Sequence, residues 1–238
     1  GKAPGGYNCP LAESGAPFIF MNAAGQMHDV TTMVHEGGHA IHSFLAHPLE
    51  LNGFKEYPME IAEVASMSME LFSMDHWETF FDTTEDLTRA KEHQLERVIT
   101  IFPWIAIIDK FQHWIYENPT HTNDERTAKW NEILQEFQDD VIDYSGLENY
   151  RSNAWQRQLH LFEVPFYYIE YGIAQLGAIG MWMQYKQNTQ QALDNYCSAL
   201  ALGGTKTLPQ LFAAAGLQFD FSPQKIKVLM EFVRGQMK

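Results

Sequence analysis

Val34-His35-Glu36-Gly37-Gly38-His39-Ala40-Ile41-His42 is the stretch from which the rest of this chain can be read. On a helix, His35 and His39 leave the same face one turn apart, so both imidazoles can converge on a single ion. Glu36 lies about 100° round the helix from His35, close enough to reach water on such an ion without ligating it. Chance would supply about 0.03 copies of His-Glu-x-x-His in a chain of this length and composition. The plainer reading, three polar residues on a solvated face, leaves Gly37 and Gly38 unexplained, since each weakens a helix interior by about 1 kcal/mol relative to Ala. Glycines there imply close approach by backbone or substrate.

Around this stretch the apolar residues Met33, Ile41, Phe44 and Leu45 recur at helical spacing, Asp29 is the expected N-cap, and Pro48 ends the run. That predicts a helix at about 30–46. Pro58 suits the first turn of a second helix carrying Ile61, Ala62, Ala65, Met69 and Phe72. Similar periodicity predicts helices at about 85–117, 123–143, 148–187, 188–202, 207–215 and 222–236, with Pro103 and Pro165 bending or interrupting theirs. Thr83 to Asp86 and Asn118 to Asp124 read as loops. Upstream, Ala16 to Asn22 (APFIFMN) is a short apolar run closed by a turn-like Asn22-Ala23-Ala24-Gly25, read as a strand or hairpin. The fold expected is mainly α, one domain over 1–238, with a strand or hairpin region at 1–27 and helix over 28–238.

The totals agree with a compact globular chain. Its 238 residues are 45% hydrophobic and 19% charged, which argues against disorder or a collagen-like chain. A formal net charge of −14 repels phosphate backbones and anionic membranes, so neither nucleic acid nor a membrane is an expected partner. Two cysteines, Cys9 and Cys197, make no disulfide framework and favour a reducing, cytoplasmic setting. No run reaches the length needed to cross a bilayer. The start at Gly1 without a Met suggests that residues upstream were removed.

A catalytic zinc takes three protein ligands and a water, so a third ligand is required. Glu56, Glu60, Glu63 and Glu70 are candidates, and spacing alone does not choose among them. The choice comes from resemblance. His35-Glu36-x-x-His39, 23 intervening residues, then Glu63 within Pro58-Met59-Glu60-Ile61-Ala62-Glu63-Val64-Ala65-Ser66 resembles the zinc peptidases of the thimet oligopeptidase and oligoendopeptidase F family. The resemblance implies Glu63 as third ligand of one zinc ion, with Glu60 the alternative. Gly1-Lys2-Ala3-Pro4-Gly5-Gly6-Tyr7 resembles the family's approach to the site, and Phe18-Ile19-Phe20-Met21-Asn22 its edge strand beside the zinc helix.

Downstream, His160-Leu161-Phe162-Glu163-Val164-Pro165-Phe166-Tyr167-Tyr168-Ile169-Glu170-Tyr171 resembles the family's histidine and tyrosine segment. It implies His160, Tyr168 and Tyr171 as donors to the developing oxyanion. Helical spacing pairs Tyr168 with Tyr171 and equally Tyr167 with Tyr171, and large aromatic side chains at such spacing also serve as core. Two departures stand out: Gly37 where the family carries a bulky residue, and Val164 where its thimet branch often has tyrosine. The family's helical portion before the zinc motif has no counterpart here, so the chain resembles the catalytic half. The remaining histidines, His28, His42, His47, His76, His93, His113 and His121, read as surface or hydrogen-bonded residues.

The function implied is a zinc-dependent endopeptidase of short peptides. Glu36 would take a proton from metal-activated water and return it to the leaving amine. An extended substrate would add to the edge of the Phe18–Asn22 strand. Two alternatives compete with it: a metal-binding helical half that needs a missing upstream domain, and a zinc carboxypeptidase using Arg151 or Arg157 to hold a terminal carboxylate.

Overall fold

The computed structural model describes residues 5–11, 13–137 and 141–237. Two short strands, β1 (Gly6–Cys9) and β2 (Phe18–Met21), pair antiparallel with Tyr7 opposite Phe20 and Cys9 opposite Phe18. Ten helices follow among the described residues: α1 (Met27–Ala46), α2 (Met59–Ser73), α3 (Thr84–Glu117), α4 (Asn123–Phe137), α5 (Glu148–Ser152), α6 (His160–Glu163), α7 (Tyr168–Gln187), α8 (Thr189–Leu200), α9 (Leu208–Ala214) and α10 (Pro223–Gln236). The mainly α class with an N-terminal hairpin is therefore the one observed. The chain divides into two compact units, one made of residues up to Glu96 and from Ile173 onward, the other of Arg97–Gly172.

Several expected boundaries move, for local reasons. Asp29 is the third residue of α1, not its N-cap. Its Oδ2 accepts from the Gln26 and Ala24 amides at 2.8 Å, closing a capping box with Gln26 as cap, so the helix begins three residues earlier than periodicity implied. The expected loop at Thr83 to Asp86 is instead helix from Thr84, with Thr83 just before it accepting the Asp86 amide on its Oγ1 at 3.1 Å. Pro103 sits inside an α3 assigned as helix throughout. The span 148–187 is broken into α5, a 3₁₀ turn at Ala154–Arg157, α6 and α7. Pro165 falls in the gap before α7, followed by Phe166 at φ 62°, a left-handed conformation that a bulky side chain rarely adopts. The end of the helix expected at 123–143 falls partly on residues 138–140, outside the described set, and 141–143 are not helical.

In the first unit α2 is the central helix. Residues 61–68 are all buried, an all-round burial expected of a helix enclosed by others. Gly38 makes the closest approach of α1 to α2: a Cβ there would stand 2.6 Å from Ser66 Cα and 2.7 Å from the Ala65 carbonyl oxygen. Tyr196 of α8 donates its buried hydroxyl to that same carbonyl at 2.8 Å. Gly37 faces open space: a Cβ there would meet nothing within 4 Å. The two adjacent glycines should therefore respond oppositely. Gly38→Ala is expected to cost about 1–3 kcal/mol by forcing the helices apart. Gly37→Ala should gain up to about 1 kcal/mol of helix propensity. Urea denaturation of both variants checks this; equal effects would show that the close approach carries no energetic weight.

The second unit has its own core, formed by Ile105, Ile107, Ile108, Phe111, Trp130, Ile133, Leu134, Trp155 and Tyr168. Trp130 Nε1 donates to the Arg151 carbonyl at 2.9 Å, fastening α4 to α5.

Candidate metal centre

Close packing at Gly38 sets the His35–His39 face of α1 against Glu63 of α2. His35 Nε2 lies 3.4 Å and His39 Nε2 3.8 Å from Glu63 Oε2, and the three donor atoms all fall within 4.8 Å of one another. Tetrahedral ligands at zinc bond lengths stand about 3.3 Å apart, so this set needs only a small contraction to embrace an ion. The chemistry of the set, two imidazoles and one carboxylate, is that of a catalytic zinc site. Glu60, in the first turn of α2, is not in the group, and Glu56 lies in the connection before that helix.

Glu70 is the fourth carboxylate considered, and it takes a different place. It lies behind His35, whose Nδ1–H donates to its Oε1 at 2.7 Å, while the Gln94 amide of α3 donates to its Oε2 at 2.7 Å. Ser66 Oγ donates to Glu63 Oε2 at 3.0 Å. Sequence reading missed Gln94 altogether, because nothing local marks a residue that reaches across from another helix. Ser66 had a signal, standing one turn after Glu63 in the quoted segment.

Glu36 is 6% exposed. Burial pushes its carboxyl above the ordinary range; the nearby His35 opposes this, and Glu63 and Glu70 reinforce it. A raised carboxyl is suited to carrying a proton in both directions near neutral pH. β1 crosses close to this residue: a Cβ on Gly6 would stand 2.9 Å from Thr32 Cγ2 and 3.4 Å from Glu36 Cγ.

The histidines are tuned in opposite directions. Burial holds His39 down at about 4 against the weaker pull of Glu63. Burial also opposes protonation of His35, but its hydrogen bonds to Glu63 and Glu70 override that and raise it to about 10. His42 departs from the expected surface or hydrogen-bonded role. It is 0% exposed, its ring stacks on Tyr57 at 3.5 Å, and neither ring nitrogen has a hydrogen-bond partner among the described residues. Burial depresses it to about 3.

These shifts give protein stripped of divalent metal a definite pH profile. His39 and His42 are lowered, so their contribution is whole above about 6.5 and is lost as pH falls toward about 3, where the unfolded chain binds more protons. His35 is raised, so its contribution is whole below about 6.5 and is lost as pH climbs toward about 10. Urea midpoints of the chelated protein should therefore peak near pH 6.5 and fall on both sides. A midpoint still rising at pH 9 would contradict the His35 assignment.

His160, Tyr168 and Tyr171 form a cluster within the second unit. His160 Nε2 is 3.2 Å from Tyr171 Oη, its ring meets that of Tyr168 at 5.1 Å, and Tyr167 meets Tyr171 at 5.2 Å. Gln158 Nε2 donates to His160 Nδ1 at 2.5 Å and receives the Trp104 indole N–H on its Oε1 at 3.1 Å. Tyr168 is 9% exposed and belongs to the core of this unit, whereas Tyr171 packs at its margin. Arg151, considered for carboxylate binding, lies over the Tyr144 ring. No helix among the described residues is long and apolar enough to cross a membrane.

Comparison with known proteins bears on this geometry. The family description Peptidase family M3 matches residues 1–230. The oligoendopeptidase F homolog of Borreliella burgdorferi is 24% identical over 213 residues, covering 87% of this chain and 35% of that protein. Oligopeptidase PepF of Bacillus subtilis is 26% identical over 239 residues, covering 95% of this chain and 34% of that protein. The solved structure of PZ peptidase A with inhibitor 2 superposes with a TM-score of 0.88 at 33% identity, covering 100% of this chain and 42% of that one. The chain thus spans about a third of the length of those curated relatives.

Proposed function

Since the chain belongs to peptidase family M3, we propose that it is a zinc-dependent endopeptidase that cleaves internal bonds of short peptides in the cytosol. His35, His39 and Glu63 are the ligands of one zinc ion, and Glu36 is the general base and then the general acid. The observation that carries this reading is the convergence of the three donors within 4.8 Å, with the buried Glu36 one residue from the first of them.

A zinc ion held there would polarise the scissile carbonyl and make water nucleophilic at neutral pH. The protein's own groups do the rest. His39, kept neutral by burial, presents a lone pair instead of a proton. Glu63 is steadied by Ser66, and His35 by Glu70. Glu36 accepts the proton that attacking water loses and delivers it to the departing amine nitrogen, so one carboxylate serves both halves of the reaction. Substrate backbone would pair with the edge of β2 that β1 leaves open among the described residues, which reads main chain more than side chain. The roles of His160, Tyr168 and Tyr171 as oxyanion donors rest on the family resemblance alone.

The short span relative to relatives favours a second reading, a metal-binding catalytic half whose turnover depends on further chain. Metal analysis of the purified protein, paired with mass spectrometry of an end-blocked peptide before and after chelation, separates the two. One equivalent of zinc with internal cleavage that chelation stops is the expected result. Zinc without cleavage would transfer the case to the second reading, and cleavage confined to free C-termini would point to a carboxypeptidase.

A further inference from the structure

Metal-binding histidines are oriented by whatever accepts the proton of their second ring nitrogen, and removing that partner lowers metal affinity about 10–100-fold. For His35 this partner is Glu70, and Glu70 is itself held. One of its oxygens accepts from His35 Nδ1 and the other from Gln94 Nε2, both at 2.7 Å. With both oxygens engaged, the plane of the carboxylate is fixed. Loss of either bond frees it to turn about its last torsion, and the imidazole it anchors can then flip and offer Nδ1 where Nε2 is needed.

Gln94 is an unusual residue for where it stands. It is 2% exposed on α3, in a position where an apolar side chain would pack without polar cost, and its Oε1 is buried with no hydrogen-bond partner among the described residues. A buried unsatisfied acceptor is destabilising, a penalty that Leu or Met would avoid. Its hydrogen bond to Glu70 is the feature that sets it apart from an apolar alternative. As a neutral donor it also leaves the charge of Glu70 intact, where a lysine would cancel much of the pull on the His35 proton.

We propose that Gln94 is a positioning residue for the metal centre, acting through Glu70 to hold the His35 ring with Nδ1 protonated and Nε2 turned to the ion. The inference rests on the ligand assignment above. It adds a third helix, α3, to the α1–α2 pair that supplies the donors.

The test is zinc affinity of the full 238-residue chain, measured by competition with a chelating indicator, for wild type, Gln94→Met, Glu70→Leu and the double variant. Met keeps the length and volume of Gln without its donor. Gln94→Met should weaken zinc binding about 10-fold and Glu70→Leu about 100-fold. The double variant should be no weaker than Glu70→Leu, because Gln94 acts only through Glu70. A merely structural contribution would instead add in the double variant. Glu70→Gln is a further variant that should fold, since its amide can donate to the spare Oε1 of Gln94 while still accepting from His35; it should lose about 10-fold. Nitrogen-15 NMR of the zinc-loaded wild type should show His35 protonated at Nδ1. Gln94→Met within twofold of wild type, or additive losses, overturns the inference alone. A wild type that binds no zinc overturns the ligand assignment as well.

Discussion

Glu36→Gln is expected to lower kcat/KM for peptide hydrolysis by about 10²–10⁴-fold while leaving bound zinc at one equivalent. The amide has nearly the shape of the carboxylate but neither accepts a proton from water nor returns one to the amine. Glu36 is not among the three converging donors, so the metal should remain. Burial raises this carboxyl, and its ionisation should form the acidic limb of the wild-type pH–rate profile, displaced upward from that of an ordinary glutamate. The variant's residual rate should lack that limb. Turnover unchanged in Glu36→Gln would remove it from the mechanism, and loss of zinc together with activity would show that it holds the metal instead.

The second large effect concerns Glu63. Glu63→Gln should weaken zinc binding by more than about 100-fold, beyond the penalty typical of removing a ligand's hydrogen-bond partner. The amide offers the metal a neutral oxygen in place of a charged one, in a site where the carboxylate faces both ring nitrogens. Burial raises the Glu63 carboxyl, but the bonds and charges of His35, His39 and Ser66 more than offset it and hold it below its usual range, so it stays ionised and ready to ligate. Glu60→Gln, one turn earlier on the same helix, should leave affinity within about twofold. Equal losses in the two variants, or a loss confined to Glu60→Gln, would reject the assignment.

Comparing those two glutamates shows where reading by sequence stops. His35, Glu36 and His39 belong to one helix, and helical geometry alone places their side chains relative to one another. Glu60, Glu63 and Glu70 share another helix at spacings that leave more than one of them facing α1. Only the depth of packing between the helices, set by the missing side chain at Gly38, decides that Glu63 reaches both histidines and that Glu70 stands behind His35. Resemblance points to Glu63, the carboxylate that stands beside both histidines, but says nothing of Glu70 as a histidine partner.

Periodicity sets the start of α1 three residues late because Asp29 can cap from the third position as well as the first. The 148–187 span reads as continuous because aromatic and aliphatic residues keep a helical rhythm across Pro165, and rhythm does not record the left-handed turn at Phe166. The polarity of His42 suggests a wet or bonded surrounding, whereas α1 turns it inward against the Tyr57 ring.

Order along the chain was enough to establish helical character, the hairpin and a His-Glu-x-x-His motif, because each depends on residues a few positions apart whose geometry the backbone dictates. The distance from α1 to α2, the division of labour between Glu63 and Glu70, and the arrival of Gln94 from α3 depend on which surfaces exclude water together. Contacts between residues 24 to 35 positions apart leave no periodic trace, so they become visible only once the helices are packed.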